Sequence, residues 1–141
     1  MSDLDPTLSK KMSLFARFSS SSKEEIYQQI MQLGRELAPF DSSWKVERNL
    51  VTGCQSMMYL KTIEREGLLI FYAHSDALIS KGLAAIMIDV YSNQSPEWIL
   101  TNKPTFLEEL GIIGILTPTR SNGVLSLYQK MQKETFSFLQ H

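Results

Sequence analysis

Two short apolar runs of extended character, Met57 to Ile63 and Leu68 to Ala73, are separated only by Glu64-Arg65-Glu66-Gly67. A charged turn ending in Gly between two β-type runs makes an antiparallel hairpin the economical assignment, and the rest of the chain must fold around it. On both sides the period becomes helical. Upstream, Ile26, Ile30, Leu33 and Leu37 recur at spacings of four, three and four, with Ser22 and Glu25 placed as a capping box and Pro39 beyond the end. Downstream, Ser75 or Asp76 can cap a helix running through Val90, whose Leu78, Ile79, Leu83, Ile86 and Met87 leave little polar surface and mark it as the central, buried helix. Gly82 inside it costs up to ~1 kcal/mol relative to Ala, which points to close packing at that position.

Ser95-Pro96-Glu97 carries an N-cap and a first-turn proline for a short helix through about Leu100. Phe106 to Leu110 suggests another, stopped by Gly111, and Val124, Tyr128, Met131 and Phe138 describe a long terminal helix after Pro118. A further strand between Trp44 and Val51 would join the hairpin. The expectation is a single α+β domain, a three-stranded antiparallel sheet packed on helices. It spans 23–141 and follows a flexible tail, 1–22, that ends in Ser19-Ser20-Ser21-Ser22 and holds one short helix around Met12 to Phe18.

Charge narrows the function classes. Fourteen Lys and Arg against 15 Asp and Glu give a net −1, without the basic excess that draws a protein to nucleic acid or anionic lipid. The longest apolar runs fall far short of the roughly 18 residues of a membrane span. The start is too interrupted for a secretory signal, so a cytoplasmic protein is expected. A lone cysteine agrees with a reducing compartment.

That cysteine, Cys54, lies in Gly53-Cys54-Gln55-Ser56, just before the hairpin. A single thiol forms no internal disulfide and supplies no multi-cysteine metal site. Two readings stand: a small buried hydrophobe, as free cysteines often are, or a thiol displayed on a loop by a flexible Gly and two polar neighbours. A reactive thiol needs help, since at an ordinary pKa of about 8.5 only a few per cent is thiolate at neutral pH. Arg120, at the proline turn that opens the last helix, is the candidate helper; its alternative is a solvated or carbonyl-capping arginine. A metal group of Cys54, His74 and Asp76 is poorly supplied with ligands, and a Cys54–His74 hydrolase dyad lacks a third member.

Taken together, Gly53-Cys54-Gln55-Ser56, then Ser75-Asp76-Ala77 with Lys81-Gly82-Leu83, then Leu116-Thr117-Pro118 with Arg120 and Asn122-Gly123, resemble the SufE family of sulfur-acceptor proteins. The blocks come in the family's order and cover about residues 24 to 135. The resemblance implies a fold similar to SufE and the IscU scaffolds. It implies that Cys54 accepts persulfide sulfur from a SufS-type cysteine desulfurase, stimulates that enzyme and passes sulfur to a SufBCD-type scaffold. Asp76 and Arg120 would then lie close to the cysteine loop, Glu108 would match an acidic position of the same region, and these three with Gly53, Gln55 and Ser56 would be supporting or partner-binding residues. No cofactor, no metal and no cluster binding is implied, because the IscU proteins use several cysteines. A weak homodimer is left open. Tyr59 stands where the family commonly has Trp. From other classes, a regulatory adaptor that carries no sulfur and a cysteine hydrolase using His74 remain as alternatives.

Overall fold

Ser22 opens the first helix by the reciprocal contacts its spacing from Glu25 predicts. Its hydroxyl accepts from the Glu25 N–H and the Glu25 carboxylate accepts from the Ser22 N–H, at 3.2 and 3.1 Å. The structure, a computed structural model, describes residues 22–54, 56–109 and 111–140. The expected tail, apart from Ser22, and its short helix therefore lie outside the described residues, as do Gln55 and Leu110. In order, the elements are α1 (Lys23–Arg35), β1 (Met58–Arg65), β2 (Leu68–Ser75), α2 (Leu78–Tyr91), α3 (Pro96–Thr101), α4 (Phe106–Glu109), α5 (Ile112–Ile115) and α6 (Pro118–Leu139). Short 3-10 turns at Ser42–Trp44 and Glu47–Asn49 lie between α1 and β1.

The hairpin is antiparallel, with Met58 opposite Ser75, Leu60 opposite Ala73 and Arg65 opposite Leu68. Its turn is tighter than expected. Glu64 and Arg65 continue the strand, and only Glu66 and Gly67 bend the chain, both at positive φ (56° and 82°). Such a two-residue turn matches the right-handed twist of the paired strands. Along β2, and over the first half of β1, alternate residues are buried, so Leu60, Leu69, Phe71 and Ala73 face the helices.

The sheet has two strands among the described residues, not three. Between Trp44 and Val51 the chain forms the second 3-10 turn and then a single bridge from Leu50 to Tyr59, closed by Val51 N–H to Met58 carbonyl at 2.8 Å. At the opposite edge, Gln94 bridges Leu69. Both edges of a hairpin that would be marginal alone are thus covered by chain.

The buried core runs from Ile26 and Ile30 of α1 through Ile86, Met87 and Val90 of α2 to Leu127 and Met131 of α6. Helix α2 is central, as its apolar composition predicts, but neither Ser75 nor Asp76 is its N-cap. That position is Ala77, and the Ser75 hydroxyl accepts from the Ala77 N–H at 3.3 Å. Where α2 crosses α1, Gly82 and Gly34 bring the two backbones into contact. A Cβ on Gly82 would collide with the Ile30 carbonyl oxygen and lie 2.6 Å from its carbon, while one on Gly34 would lie 2.9 Å from the Gly82 nitrogen. Ser95 caps α3 through the Trp98 N–H and Thr117 caps α6 through the Arg120 N–H, each followed by proline in the first turn. No helix among the described residues is long and apolar enough to cross a membrane.

Candidate functional site

The loop 52–57 leaves the sheet edge at Val51 and rejoins it at Met58, so its neck is held by the Val51–Met58 hydrogen bond while its tip projects toward α6. At the tip Gly53 adopts a φ of 91°, a conformation that residues with side chains resist. Space enforces the same choice, because a Cβ there would run into the Ser126 hydroxyl. This seats Cys54 against the helix. Its Sγ lies 3.7 Å from the carbonyl oxygen of Gly123, within reach of a weak S–H donation, and a side chain on Gly123 would touch it.

Cys54 is partly buried and packs against the core at the side of an open pocket of about 240 Å³. Leu78, Ile79 and Leu83 of α2 form one wall, and Arg120, Val124 and Leu127 of α6 the other. The walls include the first turns of both helices, whose N–H groups have no intrahelical carbonyl partner and carry partial positive charge. Two effects therefore oppose each other at the sulfur. Burial pushes the thiol above its ordinary pKa, because the low-dielectric surroundings disfavour the thiolate. At neutral pH the resting sulfur is a sheltered thiol.

A pH dependence follows. Alkylation of the free protein by a small reagent is expected to rise with pH along a curve whose midpoint lies above that of a small unhindered thiol. The sign follows from burial, which penalises the charged form, so more base is needed to reach half thiolate. Restricted access lowers the rate at every pH without moving the midpoint downward. A midpoint at or below that of the small thiol would mean that the helix termini outweigh burial.

Of the residues singled out in the sequence, the structure brings Cys54, Ser56 and Arg120 to one pocket, with Gly53 at the loop tip. Arg120 reaches over the Tyr27 ring, its guanidinium carbon 5.8 Å from the centroid, and the Tyr27 hydroxyl donates to the Ile115 carbonyl at 2.7 Å. This ties the arginine to α1 by a cation–π contact. Asp76 adjoins the loop through its backbone, donating to the Met57 carbonyl at 3.4 Å. Its largely exposed carboxylate faces His74 instead, at 3.6 Å, an ion pair when the imidazole is protonated. Glu108 lies on α4, exposed and outside the walls of this pocket.

His74 also stacks on Phe40, ring centroids 6.1 Å apart, in an aromatic group with Trp44, Tyr59 and Tyr72 on the outer face of the hairpin. It is not a wall of the Cys54 pocket. Among the described residues no cluster of three or more His, Cys, Asp or Glu side chains could hold a metal. Sequence reasoning missed Ser126 and the structural part played by Gly123. The signal was present in their helical spacing, since a face with Gly123, Ser126 and Leu127 has small residues where a loop can approach.

Comparison with known proteins gives a consistent result. The model of the SufE family, described as an Fe-S metabolism associated domain, matches residues 12–135, starting inside the segment expected to be a tail. An uncharacterized SufE-like protein of Synechocystis sp. is 32% identical over 135 residues, covering 96% of this chain and 84% of the relative. A SufE-like protein of Arabidopsis thaliana, named as chloroplastic/mitochondrial, is 34% identical over 94% of this chain. The cysteine desulfuration protein SufE of Plasmodium falciparum is 31% identical over 92%. Against these two the match spans 35% and 54% of the longer relatives. In fold, the solution structure of a hypothetical protein from Thermus thermophilus superposes with a TM-score of 0.79, covering 99% of this chain and 100% of that one at 23% identity.

Proposed function

The chain belongs to the SufE family, and from that membership we propose that it is a sulfur acceptor of iron–sulfur metabolism. Cys54 takes the sulfane sulfur of a persulfide on a SufS-type cysteine desulfurase, stimulates that enzyme and gives the sulfur up to an assembly scaffold of the SufBCD kind. The observation that carries this reading is the setting of the chain's one thiol: at the tip of a loop, in an open pocket, seated but not sealed. A hydrolase would need a base on the sulfur, and the partner found for it here is a backbone carbonyl.

The chemistry is thiol exchange. The Cys54 thiolate attacks the terminal sulfur of the donor persulfide, a new S–S bond forms on Cys54, and the donor's own S–S bond breaks with its thiolate as leaving group. The proton lost by Cys54 is balanced by the one the donor thiolate takes up. Because burial holds the resting sulfur protonated, transfer requires the loop tip to leave its seat and the thiol to ionise in the complex. On return, the pocket walls of Leu78, Ile79 and Leu83 would shelter the persulfide from reductants and oxidants. A reducing compartment such as the cytoplasm suits this exchange.

Intact mass of the protein after incubation with desulfurase, pyridoxal phosphate and cysteine tests the reading. A gain of one sulfur, removed by a reducing thiol, is expected. Stimulation of the desulfurase without any mass gain would favour the adaptor reading, and no gain and no stimulation would refute both.

Arg120 is expected to aid the transfer by its charge near the sulfur and by its hold on Tyr27. Lysine keeps the charge but not the planar stacking group, so the two substitutions separate field from geometry. In single-turnover transfer from loaded desulfurase, Arg120→Ala should be slowed on the order of tenfold, the cost of losing about 1.4 kcal/mol of interaction. Arg120→Lys should retain most of the rate if field dominates. Full-rate transfer by folded Arg120→Ala would remove it from the site.

A further inference from the structure

The last helix touches the Cys54 loop at its tip, and the same helix face grips the chain that leads into it. Two turns beyond Gly123 and one beyond Ser126, the Lys130 ammonium donates to the backbone carbonyl of Arg48 at 2.8 Å. Arg48 lies in the 3-10 turn Glu47–Asn49, from which Leu50 and Val51 run directly to the loop neck. Lys130 is oriented by Glu134, 3.2 Å away on the next turn, and the other oxygen of that carboxylate takes the Thr62 hydroxyl of β1. Both charged side chains are about four-fifths covered (18% and 22% exposed), so the pair is shielded more than an ordinary surface ion pair.

We propose that Lys130 is a positioning residue for Cys54: by holding the Arg48 carbonyl, and being held by Glu134, it clamps the base of the cysteine loop so that the tip rests in its seat on Gly123 and Ser126. The proposal deepens the sulfur-acceptor reading and rests on it for its meaning in transfer, while the geometry concerns the loop alone. The physical argument is leverage. Among the described residues the tip has a weak sulfur contact, a close approach to Ser126 and the partial packing of Cys54 on the core, little to set against the entropy of releasing a loop. The charge-assisted hydrogen bond at the base is of a stronger kind, and it acts on the turn that sets the direction in which Leu50 and Val51 enter the neck. Asn49, buried and donating to the Trp44 carbonyl at 2.8 Å, keeps that turn rigid enough to transmit the hold.

The test uses the whole chain and its only thiol. Cys54 in wild type, Lys130→Met, Lys130→Arg and Glu134→Gln is alkylated with iodoacetamide at fixed pH in a series of low urea concentrations, with thermal unfolding measured beside it. Lys130→Met is expected to alkylate about tenfold faster, the low end of the range for a lost charged hydrogen bond, with a rate that depends only weakly on urea, as local opening does. Lys130→Arg, which can still donate to the carbonyl, should restore the wild-type rate. Glu134→Gln should shift the rate in the same direction as Lys130→Met but less. In single-turnover transfer, Lys130→Met should lower the concentration of desulfurase needed for half-maximal rate, because a larger fraction of the protein already has the tip out of its seat.

Wild-type alkylation rates in both Lys130→Met and Glu134→Gln overturn the proposal. So does faster alkylation that follows urea as steeply as global unfolding, which would make the pair a general stabiliser. If wild type gains no sulfur from the desulfurase, the acceptor reading fails instead, and the alkylation series still decides whether Lys130 positions the loop.

Discussion

Cys54→Ser is expected to abolish sulfur gain from a loaded desulfurase while leaving the fold nearly unchanged. No other thiol exists in the chain to substitute for it, and a serine hydroxyl is far too weak an acid to supply an anionic nucleophile near neutral pH. The structural cost is small. Among the described residues the sulfur's polar contact is a long one to the Gly123 carbonyl, the loop neck is bonded between Val51 and Met58 without the thiol's help, and a hydroxyl can donate to the same oxygen. The change should fall within about 0.5 kcal/mol, or roughly 2 °C in Tm. Intact mass and thermal unfolding, run side by side with wild type, are the measurements. Sulfur loading of the serine variant at the wild-type level would sink the assignment of Cys54 as acceptor. Loss of loading together with a large fall in Tm would mean that the thiol is instead a packing group.

The largest stability effect is expected at Gly82→Ala. The added methyl would collide with the Ile30 carbonyl oxygen and lie 2.6 Å from both the Ile30 carbonyl carbon and its Cγ2 atom. A flexible side chain could turn aside; a helix backbone cannot, so α1 and α2 must move apart along their crossing. Overpacking of this kind costs ~3 kcal/mol or more, against a helix-propensity gain of no more than about 1 kcal/mol from Gly to Ala. The net should lower Tm by roughly 10 °C. Function should suffer with stability, because Leu78, Ile79 and Leu83, on the same stretch of α2, line the cysteine pocket. Gly114→Ala is the control, since a methyl there meets nothing within 4 Å. Should Gly82→Ala unfold no earlier than Gly114→Ala, the close crossing of α1 and α2 would be disproved.

Several features needed nothing beyond neighbouring residues. The capping box of Ser22 and Glu25, the Ser95 cap before its proline, and the hairpin between two apolar runs are all set by contacts within a few positions, and the structure has them. Gly82 also belongs here, because a glycine in the middle of an apolar helix is costly unless something approaches it closely. Local signals failed where two local outcomes were close in energy. Glu64 and Arg65 could bend or extend, and they extend because Glu66 and Gly67 accept positive φ. The stretch before Val51 could pair as a strand, yet among the described residues it pairs only at Leu50, since the Glu47–Asn49 turn closes on itself and Asn49 donates to the Trp44 carbonyl.

By itself, then, the sequence determined the family, the hairpin-and-helix architecture and the identity of the only thiol, because each is written in residue types at short spacing. The surroundings of that sulfur were decided by tertiary structure. Cys54 meets Gly123, 69 positions along the chain, Lys130 reaches back 82 positions to Arg48, and Asp76 turns to His74 while Arg120 lies over Tyr27. Such contacts depend on how α1, α2 and α6 cross, which is set by the packing of many side chains at once and by the space two glycines leave between helices. The thiol's raised pKa has the same origin, since desolvation measures how much of the folded chain has closed around an atom.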